Sequence, residues 1–148
     1  MKNKDYDEFQ LANRHRIAFQ TLFITFVVIM INGYVKFIYG NWADPLLEMM
    51  ITVLIPGMYF TIMSIAKNAY LRQKDHPIVF IVMMGMATIL SGAAVISSIM
   101  SGILELVEDG QLTNQVGSLL LTIYAGSTTV ALLMRSMKNR RVFANEES

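Results

Sequence analysis

Four stretches of this chain contain no Asp, Glu, Lys or Arg: residues 17–35, 49–66, 78–104 and 111–134. A helix rises about 1.5 Å per residue, so about 20 residues cross a hydrocarbon core about 30 Å thick. All four stretches reach or approach that length. A soluble helix keeps a charged outer face at a period of about 3.6 residues, and these stretches carry none. Outer-membrane strands alternate apolar and polar residues over about ten positions, and these runs do not alternate. The pattern predicts an all-α protein, a four-helix transmembrane bundle with spans near 17–39, 46–67, 77–104 and 112–134. With 148 residues there is room for one membrane domain. Only 16% of residues are charged and the mean hydropathy is +0.46, against about 25% charged residues in soluble domains.

Orientation follows from the basic residues near the spans. Lys2, Lys4, Arg14 and Arg16 precede span one. Lys67, Arg72 and Lys74 lie between spans two and three, and Arg135, Lys138, Arg140 and Arg141 follow span four. Of the twelve basic residues, Lys36 alone falls on the other side. The tails 1–16 and 135–148 and the middle loop are therefore expected in the cytoplasm, in a multi-pass protein of the plasma membrane. No small-residue cleavage site follows the first run, which reads as a retained signal anchor. The absence of cysteine removes disulfides and thiolate metal sites.

Local signals place the helix ends. Asp5 and Glu8 have the spacing of a capping box, so a helix is expected to start in the tail. Gly40 suits a C-cap after Tyr39, and Asp44-Pro45 an N-cap and first turn. Tyr34, Phe37, Tyr39 and Trp42 fall where an interfacial aromatic belt belongs. Pro56-Gly57 predicts a kink within span two. Asp75-His76-Pro77 opens span three, which is expected to run on to Asp109 and end at Gly110.

Each span carries a polar or small stripe. Thr21, Thr25, Asn32 and Lys36 fall within about 60° on span one, and Glu48, Thr52 and Tyr59 share a face of span two. On span three the stripe is Thr88, Ser91, Gly92, Ser98 and Gly102. On span four it is Gln115, Ser118, Thr122, Gly126 and Thr129. Helix packing is one reading, because small residues let backbones approach and hydroxyls bond across helices. A polar interior or vestibule bounded by Asn32, Lys36, Glu48, Thr52 and Tyr59 is the other. Gln20 and Asn32 should each face protein, since an unpartnered amide in hydrocarbon costs several kcal/mol. Lys36 and Glu48, at the outer ends of their spans, can pair with each other.

Glu105, Glu108 and Asp109, at i, i+3 and i+4, share one face if span three extends that far. They form an outer acidic patch that a divalent cation or cationic peptide would suit, or a solvated loop whose charge merely satisfies topology. Calcium takes about six to eight oxygen ligands, more than three carboxylates readily offer. His15 and His76 have no second ligand at metal spacing. Met83, Met84 and Met86 lack the repeated spacing of a copper site and suit core filling. No serine lies in a nucleophile-elbow context and no glycine loop suits phosphate. No enzyme, metal, cofactor or nucleic-acid partner is expected.

The charged tail, the run Tyr34-Val-Lys-Phe-Ile-Tyr39-Gly40 and the run Ile55-Pro56-Gly57-Met58-Tyr59-Phe60 resemble uncharacterised small four-span membrane proteins of Gram-positive bacteria. The resemblance covers roughly residues 5–72 and implies no activity and no functional residue. Small multidrug exporters share the span count, but their membrane-embedded glutamate in span one is absent here. Fluoride channels are similar in size, yet their asparagine and phenylalanine motifs do not occur in order. Three functional expectations stand: association with a membrane or cytoplasmic protein or a second copy, a small oligomeric transporter or channel, and an immunity or stress role against cationic peptides. The bilayer is the constant partner, and the cationic stretch 135–141 is expected to attract anionic lipid.

Overall fold

The computed structural model of the chain describes residues 7–71, 76–102 and 105–146, with side chains through Lys138. Its helices are α1 (Glu8–Tyr39), α2 (Pro45–Ala66), α3 (Pro77–Met100) and α4 (Gln115–Glu146). All four are long and apolar enough to cross a membrane. A two-stranded hairpin, β1 (Val107–Glu108) and β2 (Gln111–Leu112), joins α3 to α4.

The helix ends follow from local chemistry. The box that starts α1 uses Asp7 and Gln10: the Asp7 carboxylate accepts from the Glu8 amide, and Gln10 Oε1 accepts from the Asp7 amide. The expected pair Asp5–Glu8 is displaced, because Gln10 offers the acceptor three residues beyond the cap; Asp5 itself lies outside the described residues. At the far end Gly40 takes φ +75°, a left-handed backbone that glycine adopts without steric cost, and its amide closes on the Lys36 carbonyl. Pro45 opens α2, where its fixed φ fits and its missing N–H costs nothing. Helix α2 continues through Pro56, which is buried. It closes with Asn68 at φ 58°: the Asn68 amide bonds the Ile65 carbonyl and the Ala69 amide the Ser64 carbonyl. This double closure returns the chain sharply toward the helices. Ala69 and Leu71 are thereby buried, and the Tyr70 ring meets Phe80 edge-on at 6.2 Å.

Helix α3 is shorter than the sequence suggests. His76 precedes it, Pro77 is its first residue, and Asp75 lies outside the described residues. It stops at Met100, where Gly102 adopts φ 65° and donates to the Ile99 carbonyl. The expected extension to Asp109 gives way to a tight hairpin. Asp109 and Gly110 have φ 49° and 78°, and two positive φ values in succession define the type I′ turn that Asp-Gly favours. The hairpin then joins the α1–α2 connection. The Asp44 amide donates to the Leu112 carbonyl, the Leu112 amide to the Trp42 carbonyl, and Ala43 bridges Leu112 in parallel register.

Helices α3 and α4 pack together, α4 packs on α2, and α2 on α1. The order in space is therefore α1–α2–α4–α3, with α1 and α3 at its ends. None of the most apolar window of α1 is buried within the chain, against about a fifth of the equivalent windows of α2 and α4. A core of Ile65, Leu71 and Leu132 closes the basic end, with Tyr70, Phe80, Ile81 and Met84 packed around it.

Candidate functional site

At the hairpin end, two connected elements place polar side chains against the end of α1. Lys36 Nζ lies 2.7 Å from Glu48 Oε2 in the first turn of α2. Trp42, carried by the short α1–α2 connection, donates its indole N–H to Asn32 Oδ1 at 2.9 Å. Asn32 and Lys36 thus serve different partners. Asp44, the residue before α2, makes no capping bond with its side chain. Its Oδ2 instead accepts the Asn114 amide at 3.0 Å, tying the α2 start to the α4 start.

Deeper in the helices several polar groups also pair off, although Ser64 Oγ has no hydrogen-bond partner among the described residues. Tyr59 donates its hydroxyl to Gln20 Oε1 at 3.0 Å, joining α2 to α1. Thr61 and Tyr124 share a 2.9 Å bond between α2 and α4. Thr21, Thr25 and Thr52 turn their hydroxyls back on the carbonyls four residues earlier. Each bond removes a donor or acceptor that hydrocarbon would penalise by several kcal/mol. The residues Asn32, Lys36, Glu48, Thr52 and Tyr59 are distributed among these separate contacts.

The α3–α4 interface is built from glycine and threonine in reciprocal positions. A methyl at Gly92 would meet Thr122 Cγ2 at 3.9 Å, and one at Gly126 would meet Thr88 Cγ2 at 3.6 Å. Thr88 and Thr129 hydroxyls stand 3.3 Å apart across the same surface. Ser98 is half-buried and bonds the Ala94 carbonyl, whereas Ser118 is exposed and bonds the Gln115 carbonyl. Two expectations need correction. Gly102 lies past the end of α3, so it terminates that helix, and a side chain there would meet nothing within 4 Å among the described residues. Gly57 has open space where its side chain would be, although its neighbour Pro56 is buried. Sequence reasoning missed Gly117, which is buried with a side-chain position only 2.7 Å from Met50 Sδ of α2.

The acidic patch is also rearranged. Because α3 stops early, Glu105, Glu108 and Asp109 share no helical face. All three are exposed, and the Glu105 carbonyl accepts the Thr113 hydroxyl. Glu108 and Asp109 join Asp44 around a shallow hollow of about 190 Å³. Among the described residues, no three His or acidic side chains are placed to hold a metal ion.

An extended apolar surface on α1 is exposed. Phe19, Phe23, Phe26, Met30, Tyr34 and Phe37 are all exposed, and their spacing puts them on one side of the helix. The opposite side carries Ile17, Gln20, Ile24, Val28 and Asn32, buried or half-buried. Gly33 interrupts the aromatic side: a side chain there would meet nothing within 4 Å. Ile29, Met30, Tyr34 and Phe37 surround it, forming an open groove of about 530 Å³.

These features define a multi-pass membrane protein with an exposed aromatic helix at one end of its row. Comparison with known proteins finds no matching family, no matching curated protein and no matching solved structure.

Proposed function

We propose that this protein is a non-enzymatic accessory protein of the plasma membrane that acts by association. In this reading α1 docks an apolar transmembrane helix of a partner, and both tails face the cytoplasm with the basic residues. The observation that carries it is Gly33. Glycine costs a helix about 1 kcal/mol relative to alanine, and Gly33 gains no packing against the described residues for that cost. Helices in lipid associate where small residues let backbones come close, flanked by larger side chains that enclose the contact. Gly33 between Met30, Tyr34 and Phe37 has that form. A lipid-facing position alone would favour a better helix former.

The internal pairing of polar groups supports the same reading. Coupled transport uses a group that changes charge within the membrane, and the charge-free runs supply only hydroxyls and amides. Isolation from native membranes in mild detergent tests the proposal. A partner retained by the wild type and lost from Gly33→Leu supports association through α1. The same set of co-purifying proteins from both chains contradicts it.

A further inference from the structure

We propose that the basic end of the α2–α4 interface binds one acidic glycerophospholipid in a discrete groove. Its phosphate meets Arg135 and Lys138, and one acyl chain lies along the apolar wall. The groove has a volume of about 500 Å³. Ile62, Ile65 and Ala66 of α2 form one wall, and Ala131 and Met134 of α4 form the other. Arg135 and Lys138 stand one turn apart at its charged end, and none of the described residues lining it is acidic.

Arg135 gives the groove its preference for phosphate. Its Nη1 is screened from solvent and has no hydrogen-bond partner among the described residues. A guanidinium keeps its charge and presents its N–H donors as a planar fork, which matches two phosphate oxygens at once. A donor buried without a partner is costly, and an anionic oxygen in the groove relieves that cost. Lys138 is exposed and adds a second positive charge.

Depth selects a lipid over a soluble anion or an acidic protein segment. The charge-free run of α4 ends at Met134, so Arg135 and Lys138 follow it directly, where a spanning helix leaves hydrocarbon and lipid phosphates lie. The walls below them are apolar and belong to two membrane-crossing helices. This is a single, saturable site, distinct from the diffuse attraction of a basic tail for an anionic surface.

Native mass spectrometry of the full chain, with phosphatidylglycerol and phosphatidylcholine of identical acyl chains, provides the test. The wild type should retain one phosphatidylglycerol per chain and release phosphatidylcholine. Arg135→Gln with Lys138→Gln should lower that retention about tenfold. Ala66→Trp keeps both cations but fills the acyl track, and should lower retention similarly. Ala66 and Lys138 are exposed, so Ala66→Trp and Lys138→Gln alone keep the test valid if Arg135→Gln does not fold. Equal retention of the two lipids would overturn the proposal. So would unchanged retention in the variants, displacement of the lipid by inorganic phosphate, or displacement by an acidic peptide.

Discussion

Lys36 and Glu48, twelve residues apart, form an ion pair of 2.7 Å across the α1–α2 connection. The two ends of this pair differ sharply in environment. The Lys36 side chain retains 44% of its exposure and that of Glu48 only 9%. Glu48 Oε1 has no hydrogen-bond partner among the described residues and is screened from solvent. The carboxylate therefore depends on Lys36 more than Lys36 depends on it.

That asymmetry predicts an unequal pair of mutants. Lys36→Met leaves an uncompensated, nearly buried carboxylate and should destabilise the protein by about 1–3 kcal/mol, between exposed and buried pairs. Glu48→Gln should cost less, because it removes the buried charge itself. Thermal unfolding in detergent, completed as a double-mutant cycle, should show that Glu48→Gln relieves most of the Lys36→Met defect. Purely additive effects would mean the pair is not energetically coupled.

Gly117 offers a second packing test. Leucine there must displace Met50, and overpacking of this kind typically costs about 1–3 kcal/mol. Met50→Ala should recover part of the loss in the same thermal measurement, since it vacates the space that the new side chain occupies. Gly92→Leu should also lower stability, through Thr122, whereas Ile96→Leu on the exposed side of α3 should not.

The spans were legible in the sequence because charge is excluded from hydrocarbon on either side of a helix. The same physics hid the spatial order of the helices. Lipid tails are as apolar as leucine, so the exposed side of α1 and the interior side of α2 have similar compositions, and periodicity cannot tell them apart. The hairpin was available in Asp109-Gly110, a strong signal for a type I′ turn. It was obscured by acids at helical spacing. The Lys36–Glu48 pairing could be anticipated from the positions of both residues at span ends, but the Gly117–Met50 contact required the packing of α4 on α2.

Membrane orientation has its own test. Of the twelve basic residues, eleven fall by sequence in the two tails and the connection between α2 and α3, and the chain has no native cysteine. Single cysteines at the exposed positions Asn41 and Asn114 should react with an impermeant maleimide on intact cells, whereas one at Lys67 should not. Labelling at Lys67 alone would reverse the proposed topology.

Tyr70 gives a pH prediction outside the spans. Burial, with a smaller contribution from Tyr124, raises its phenol above the ordinary value of 10.0. The folded state therefore favours the protonated phenol. The corresponding stability is complete below pH 10.0 and is lost as pH rises through the higher folded value. Tyr70→Phe should flatten this alkaline decline in melting temperature relative to wild type.

The central claim, association through the exposed side of α1, is tested most directly by photo-crosslinking in native membranes. A photoreactive residue replacing Phe37 should yield one discrete protein adduct, identified by mass as another membrane protein or a second copy of this chain. Gly33→Leu should abolish that adduct, and the same photoreactive residue at Val28, on the half-buried side of α1, should not form it. Exclusive capture of lipid at Phe37, or an adduct unaffected by Gly33→Leu, would contradict the account.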